Sequence, residues 1–100
     1  MVKHVILWTI LPEYSAQEKS DIKKNIKTAL EALMDKIPGF CEITVNINGL
    51  ESSKADLMLD STFESEQALK DYAVHPAHVA VADNFVSPFM ATRSCLDYII

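Results

Sequence analysis

The pattern of hydrophobic and polar positions predicts four strands, and apolar residues recur at helical spacing between them. Residues 2–11 are apolar on both sides of the alternation, which is typical of a central strand covered on both faces. Residues 40–49 alternate strictly between apolar and polar side chains, and the apolar face is predicted to carry Cys41, Ile43, Val45 and Ile47. Residues 55–64 and 91–100 complete a set of four predicted strands.

The segment between the first two strands predicts a long amphipathic helix. Ser15 is followed three residues later by Glu18, the arrangement of a capping box at a helix N-terminus. The pair Pro38-Gly39 predicts that the helix ends near Lys36. Its apolar face is formed by Ile22, Ile26, Ala29, Leu30, Leu33, Met34 and Ile37.

A second helical region follows the third strand and is predicted to be broken. Ser65 suits the cap of a short helix, and the pair His75-Pro76 interrupts that helix because the residue before proline avoids the helical conformation. Pro76 suits the first position of a further helix, which ends at Ser87-Pro88. One side of that helix is predicted to carry His78, Val79, Ala82 and Phe85.

The order β-α-β-β-α-β predicts an α+β, ferredoxin-like fold over residues 1–100, a single domain with a four-stranded antiparallel sheet and helices on one face. The first and third strands would be central. The uncovered face would expose an apolar patch, which a closed two-fold homodimer would bury. A monomer with a half-polar open sheet is the alternative. The patch is formed by Val5, Leu7, Leu11, Met58, Leu96 and Tyr98.

Composition narrows the classes of partner. The chain has 100 residues, of which 49% are hydrophobic and 23% charged, an ordinary globular composition. Its net charge of −5 argues against nucleic acid and anionic membrane surfaces as partners, and no apolar run approaches the ~20 residues of a membrane span. The absence of a signal-peptide pattern and two cysteines, Cys41 and Cys95, predicted to be free thiols favour a cytoplasmic protein.

The sequence contains no clear motif for phosphate binding or metal binding. Two glycines cannot form a phosphate-binding loop, and neither the cysteines nor the pair His75 and His78 has the partners of a metal-binding motif. We therefore expect no metal and no cofactor.

Several motifs together resemble the stress-responsive A/B barrel (Dabb) family over nearly the whole chain. The resemblance implies a dimeric α/β barrel of ferredoxin-like subunits, in a family with many members of unassigned reaction. The motifs are VKHVILW at 2–8, IPG at 37–39, DLML at 56–59, TFES at 62–65, DYAVHPAHV at 71–79 and DY at 97–98.

Plant members of the family that cyclise linear polyketides imply roles for particular positions. Their tyrosine and histidine fall on Tyr72 and His78, and an aspartate supporting the histidine falls on Asp97. The chain departs from them at Leu57, where they carry a further histidine, so the resemblance supports a pocket of related build rather than that particular cyclisation.

Two functional hypotheses remain open, a small-molecule-binding homodimer and a cofactor-independent acid–base enzyme. In the enzyme, His78 oriented by Asp97 would abstract a proton next to a carbonyl that Tyr72 polarises. The alternative is a structural His–Asp pair that ties the helix to the sheet. A monooxygenase is supported by fold analogy alone.

In either case the predicted ligand is a small hydrophobic carbonyl compound. His4 is either a satisfied core residue or part of the cavity, and His75 either caps a helix or closes the entrance. The predicted cavity residues are His4, Ile6, Trp8, Leu57, Leu59, His75 and Phe85.

Overall fold

A computed structural model describes residues 1–100 and contains four strands and three α-helices. The predicted order is confirmed, with the second helical region divided in two at His75. Single turns of 3₁₀- or π-helix fill Met34–Lys36, Ala82–Val86 and Ser87–Phe89. The elements are β1 (Val2–Ile10), α1 (Ala16–Glu31), β2 (Phe40–Asn46), β3 (Leu57–Phe63), α2 (Glu66–Val74), α3 (Pro76–Val81) and β4 (Met90–Ile99).

The four strands form one antiparallel sheet in the order β2-β3-β1-β4. As predicted, β1 and β3 are central and the other two strands are edges. Even-numbered residues of β1 lie under the helices, where Ile6, Trp8 and Ile10 are buried in the core. None of the helices combines the length and apolar character that crossing a bilayer requires.

Helix α1 begins where its sequence predicts, and it ends before the predicted boundary near Lys36. Both hydrogen bonds of the capping box between Ser15 and Glu18 are present. The α-helix ends at Glu31, and a 3₁₀ turn carries the chain on to Lys36. Gly39 follows with φ 77°, and a Cβ there would lie 2.7 Å from the Cβ of Ala68. The turn into β2 therefore requires glycine both for its backbone conformation and for the close approach of α2.

A register shift at the start of β2 changes which side chain enters the core. Phe40 pairs with Phe63, and the next paired residue of β2 is Glu42. Because the bulge adds one residue, Phe40 is buried while Cys41, predicted to share the inner face, is partly exposed. Both cysteines are free thiols, as predicted.

The face of the sheet opposite the helices is uncovered. It carries Leu7 of β1 and Leu96 and Tyr98 of β4, all three exposed. Every residue of β4 after Met90 is exposed, although this strand contains several large apolar side chains. The apolar patch expected from the sequence is therefore present on this chain.

Candidate ligand-binding site

A cavity of about 340 Å³ lies between the sheet and the helices. Five polar residues line it: His4 from β1, Tyr72 from α2, His78 from α3, Ser87 from the turn before β4 and Arg93 from β4. The remaining wall is mostly apolar. It includes Ile6, Trp8, Leu30, Leu59, Leu69 and Val86. A mostly apolar pocket with a few convergent polar groups is typical of small-molecule sites.

Tyr72 is held in place by an aromatic cluster. Its ring centroid lies 5.1 Å from that of Phe40 and 4.9 Å from that of Phe63, and those two rings stack at 4.5 Å. The residue is 2% exposed, and no protein group hydrogen-bonds to its hydroxyl. Burial raises the pKa of Tyr72 well above its usual range, although Arg93 opposes this effect. The phenol therefore stays protonated and can donate a hydrogen bond.

His78 lies beside Tyr72, with ring centroids 4.2 Å apart. Its Nδ1 donates to the Ala73 carbonyl oxygen at 3.2 Å, because a carbonyl can only accept. This bond assigns the proton of the neutral ring to Nδ1 and leaves a lone pair on Nε2. Burial lowers the pKa of His78, and the carbonyl of Ala73 only partly offsets it. His78 is therefore a neutral imidazole at pH 7.

Asp97 does not hold His78. The predicted pairing is wrong, because the β1–β4 register sets Asp97 directly opposite His4, and the Asp97 carboxylate accepts a hydrogen bond from Nδ1 of His4. Asp97 and His4 both line a second depression, of about 550 Å³, at the edge of the sheet. His4 therefore borders both cavities, and the backbone carbonyl of this residue accepts a hydrogen bond from Ser61 at 2.8 Å.

Three predicted cavity residues lie elsewhere. His75 sits between α2 and α3, where its Nδ1 accepts a hydrogen bond from the backbone N–H of Ala77 at 3.1 Å, so it is a helix cap. Leu57 pairs with Trp8 and packs into the core beside a different surface depression. Of the predicted set, His4, Ile6, Trp8 and Leu59 do line the cavity.

Phe85 is the third displaced residue, and a π-helical turn explains its position. The turn over Ala82–Val86 contains more residues than an α-helical turn, which rotates the following side chains relative to the predicted face. Val86 is 6% exposed and lines the cavity, whereas Phe85 is 42% exposed.

Sequence reasoning did not identify Arg93. It lies opposite Trp8 in the β1–β4 register. Its positive charge partly opposes the burial that raises the pKa of Tyr72, and it adds to the burial that lowers the pKa of His78. The signal was present in the alternation of β4, since Arg93, Cys95 and Asp97 occupy every second position and therefore share a face.

A cluster of possible metal ligands lies at the second depression. His4, Cys95 and Asp97 each offer one ligand atom, and these atoms lie within 4.8 Å of one another. Burial and the neighbouring Asp97 carboxylate raise the pKa of the Cys95 thiol.

The cavity combines hydrogen-bond donors with a base. The Tyr72 phenol and the Arg93 guanidinium can donate to an oxygen of a bound molecule, and Nε2 of His78 can accept a hydrogen bond or a proton. The apolar walls favour a ligand whose remaining surface is hydrophobic.

Comparison with known proteins identifies relatives of this fold. The sequence profile of the Stress responsive A/B Barrel Domain matches residues 2–100. No curated protein matches the chain significantly. A dimeric protein of unknown function and ferredoxin-like fold from Bacteroides fragilis is 31% identical, with a TM-score of 0.92 over 99% of this chain and 95% of that one.

Two more distant structures show the same fold. A Dabb family protein with a ferredoxin-like fold from Mesorhizobium loti is 17% identical, with a TM-score of 0.79, covering 99% of this chain and 95% of that one. A hydroxynitrile lyase from Passiflora edulis is 19% identical, with a TM-score of 0.78, and the match covers 99% of this chain and 92% of that one. Because the family profile spans nearly the entire sequence, the chain belongs to the Stress responsive A/B Barrel Domain family.

Proposed function

We propose that this protein is a homodimer that binds a small hydrophobic molecule bearing a carbonyl oxygen in the cavity between sheet and helices. The observation that carries the proposal is the buried Tyr72 hydroxyl, which has no hydrogen-bond partner in the protein. Leaving a buried hydroxyl unpaired costs about 1–3 kcal/mol. A ligand oxygen at this position would remove that cost.

The surroundings of Tyr72 support an oxygen acceptor, such as a carbonyl, rather than an amine. The protonated phenol is a donor, and Arg93 adds a second donor and a positive charge. A neutral oxygen acceptor on an apolar body matches these two donors and the hydrophobic walls. The volume of about 340 Å³ is at the small end of the range for ligand pockets, so the ligand is small.

Self-association is supported by the uncovered sheet face. Leu7, Leu96 and Tyr98 share that face and are exposed, whereas soluble monomers rarely present large contiguous apolar patches. The Bacteroides fragilis relative is described as dimeric. We place the dimer interface on this face, so the ligand cavity, on the opposite side, stays open in each protomer.

The Tyr72→Phe variant tests the binding proposal, because it removes the hydroxyl and keeps the ring. We expect aryl alkyl ketones, from acetophenone to octanophenone, to raise the melting temperature of the wild type. The variant should bind them about 2–10-fold more weakly, the loss of one hydrogen bond of about 0.5–1.5 kcal/mol. Differential scanning fluorimetry followed by calorimetric titration measures both effects.

Two controls make this result specific. Alkylbenzenes of matched chain length lack the carbonyl and should bind both proteins equally. Tyr14→Phe alters a tyrosine that packs on Phe89 with ring centroids 5.8 Å apart, outside the cavity, and should leave ketone binding unchanged. Equal ketone affinities for wild type and Tyr72→Phe, or no response to any ketone, would contradict the proposal.

A second candidate, acid–base catalysis, is favoured by the state of His78. A neutral imidazole with a lone pair on Nε2 lies against a phenol that can polarise a carbonyl, which suits abstraction of the proton next to that carbonyl. In this form of the enzyme hypothesis His78 is oriented by the Ala73 carbonyl.

Exchange of the methyl protons of acetophenone in D₂O, followed by NMR, tests this candidate. The wild type should accelerate exchange, and His78→Gln should abolish the acceleration. Because the pKa of His78 is lowered, the base stays unprotonated through the neutral range, and the rate should fall only at a pH below the ordinary histidine value of about 6.5. Acceleration that persists in His78→Gln, or that disappears already above pH 7 on acidification, excludes His78 as the base.

A further inference from the structure

We propose that His4, Cys95 and Asp97 form a binding site for one divalent transition-metal ion, with zinc as the ion that fits best. The three side chains come from the paired strands β1 and β4. Asp97 lies directly opposite His4, and Cys95 precedes it by two residues, which turns both β4 side chains to the face of the sheet that carries the helices. The metal site shares His4 with the wall of the ligand cavity, but it does not depend on the proposed carbonyl-binding role of that cavity.

The distances between the ligand atoms match zinc. Zn–S bonds of about 2.3 Å and Zn–N and Zn–O bonds of about 2.0–2.1 Å in a tetrahedron place sulfur about 3.5 Å from nitrogen and from oxygen. In the protein, Sγ of Cys95 lies 3.7 Å from Nδ1 of His4 and 3.4 Å from Oδ1 of Asp97. Two of the three distances between the ligand atoms are therefore close to the values that a tetrahedral zinc ion requires.

The third distance, between Nδ1 of His4 and Oδ1 of Asp97, must increase when a metal binds. His4 and Asp97 are joined by a hydrogen bond, and a tetrahedral ion would hold their ligand atoms about 3.3 Å apart. The Asp97 side chain is 45% exposed on an edge strand, so its carboxylate is free to move away from His4 to reach this separation. His4 stays fixed, because it is buried between Phe63 and Tyr72.

The chemical types of the three ligand atoms determine which metal ion the site prefers. One thiolate, one imidazole and one carboxylate suit zinc and similar transition metals, whereas Mg²⁺ and Ca²⁺ require mostly oxygen ligands. Three protein ligands leave a fourth position for water or a small molecule, as in catalytic zinc sites. Cys95 and Asp97 are exposed beside the depression of about 550 Å³, so both an ion and a fourth ligand can reach the site.

The charges around the site are compatible with a bound dication. Arg93 and Lys70 line the same depression and oppose a cation, and Glu66 favours one. Binding requires His4 to carry its proton on Nε2 and releases the thiol proton of Cys95. Zn²⁺ with one thiolate, one carboxylate and a neutral imidazole then has no net charge, so the two basic side chains do not face an excess of positive charge.

Cobalt and zinc titrations of the reduced, full-length protein test the site. We expect one Co²⁺ per chain, a thiolate-to-cobalt charge-transfer band in the near ultraviolet, and loss of that band when zinc displaces cobalt. Cys95→Ser should remove the band. Asp97→Asn should weaken zinc binding at least about tenfold in competition with a chromophoric chelator.

Cys41→Ser is the matched control, since Cys41 lies on β2 outside the cluster and should keep both the band and the affinity. Circular dichroism confirms that each variant is folded, and the two β4 substitutions affect exposed side chains. The proposal is overturned if the wild type gives no charge-transfer band at saturating cobalt, or if Cys95→Ser and Asp97→Asn bind zinc as tightly as Cys41→Ser.

Discussion

Replacing Phe63 with alanine is expected to lower the free energy of unfolding by about 3–5 kcal/mol. The side chain is fully buried at the end of β3, where it stacks on Phe40 and contacts Tyr72 and His4. Its removal leaves a cavity that these rings can fill only partly. The loss is a large fraction of the 5–15 kcal/mol that stabilises a typical domain.

Urea unfolding followed by circular dichroism measures this loss. One fixed protein concentration is used, because the proposed dimer would make stability depend on concentration. Phe85→Ala is the matched control. Phe85 is exposed on the π-helical turn, so its removal should cost less than about 1 kcal/mol. A similar cost for both variants would contradict the structure at this turn. Phe63→Ala should also weaken ketone binding, since Phe63 supports the ring of Tyr72.

The Leu96→Asp variant is expected to convert the proposed homodimer into monomers. Leu96 is 64% exposed on the uncovered face, where it lies on the edge strand β4 opposite Val5 of the central strand β1. In a two-fold dimer both protomers carry the substitution, so two carboxylates are forced into one apolar interface. A cost of about 3 kcal/mol or more corresponds to at least a 100-fold rise in the dissociation constant.

Sedimentation velocity over a range of protein concentrations measures the dimer–monomer equilibrium. Leu50→Asp provides the control, because Leu50 is 79% exposed in the connection between β2 and β3 and lies outside the sheet. It should leave the equilibrium unchanged. A Leu96→Asp protein that remains as dimeric as the wild type would place the interface elsewhere, and a monomeric wild type would remove the homodimer from the proposed function.

The sheet and its helices could be predicted because their signals are local. The apolar run of β1, the alternation in β3, the capping box at Ser15 and the break at His75-Pro76 each depend on residues within a few positions of one another. The same locality explains why the cavity walls from β1 were placed correctly, since alternate residues of one strand must share a face.

The inward-facing side chain was predicted wrongly at two places, because an extra residue there shifts the alternation between inward and outward side chains. The bulge in β2 moved Phe40 inward in place of Cys41, and the π-helical turn moved Val86 inward in place of Phe85. Neither irregularity has a clear signature in the amino-acid pattern, because both are determined by packing against other elements.

The pairing of Asp97 with His4 was missed for a different reason. The choice between two histidines depends on the exact strand register, which the sequence constrains only through turns and hydrophobic faces. The His4, Cys95 and Asp97 cluster was invisible for the same reason, since its members have none of the close spacing that marks a metal-binding motif.

The pairing of β1 with β4 also has a consequence for how the chain folds. His4 and Asp97 are 93 positions apart, so joining their strands closes nearly the longest loop that the chain contains. Contacts this distant in sequence slow folding, and β4 is synthesised after the other three strands of the sheet. Until it docks, the edge of β1 is unpaired and Arg93, Cys95 and Asp97 have not joined their partners. Nascent chains therefore depend on this one late step to protect a hydrophobic strand from aggregation.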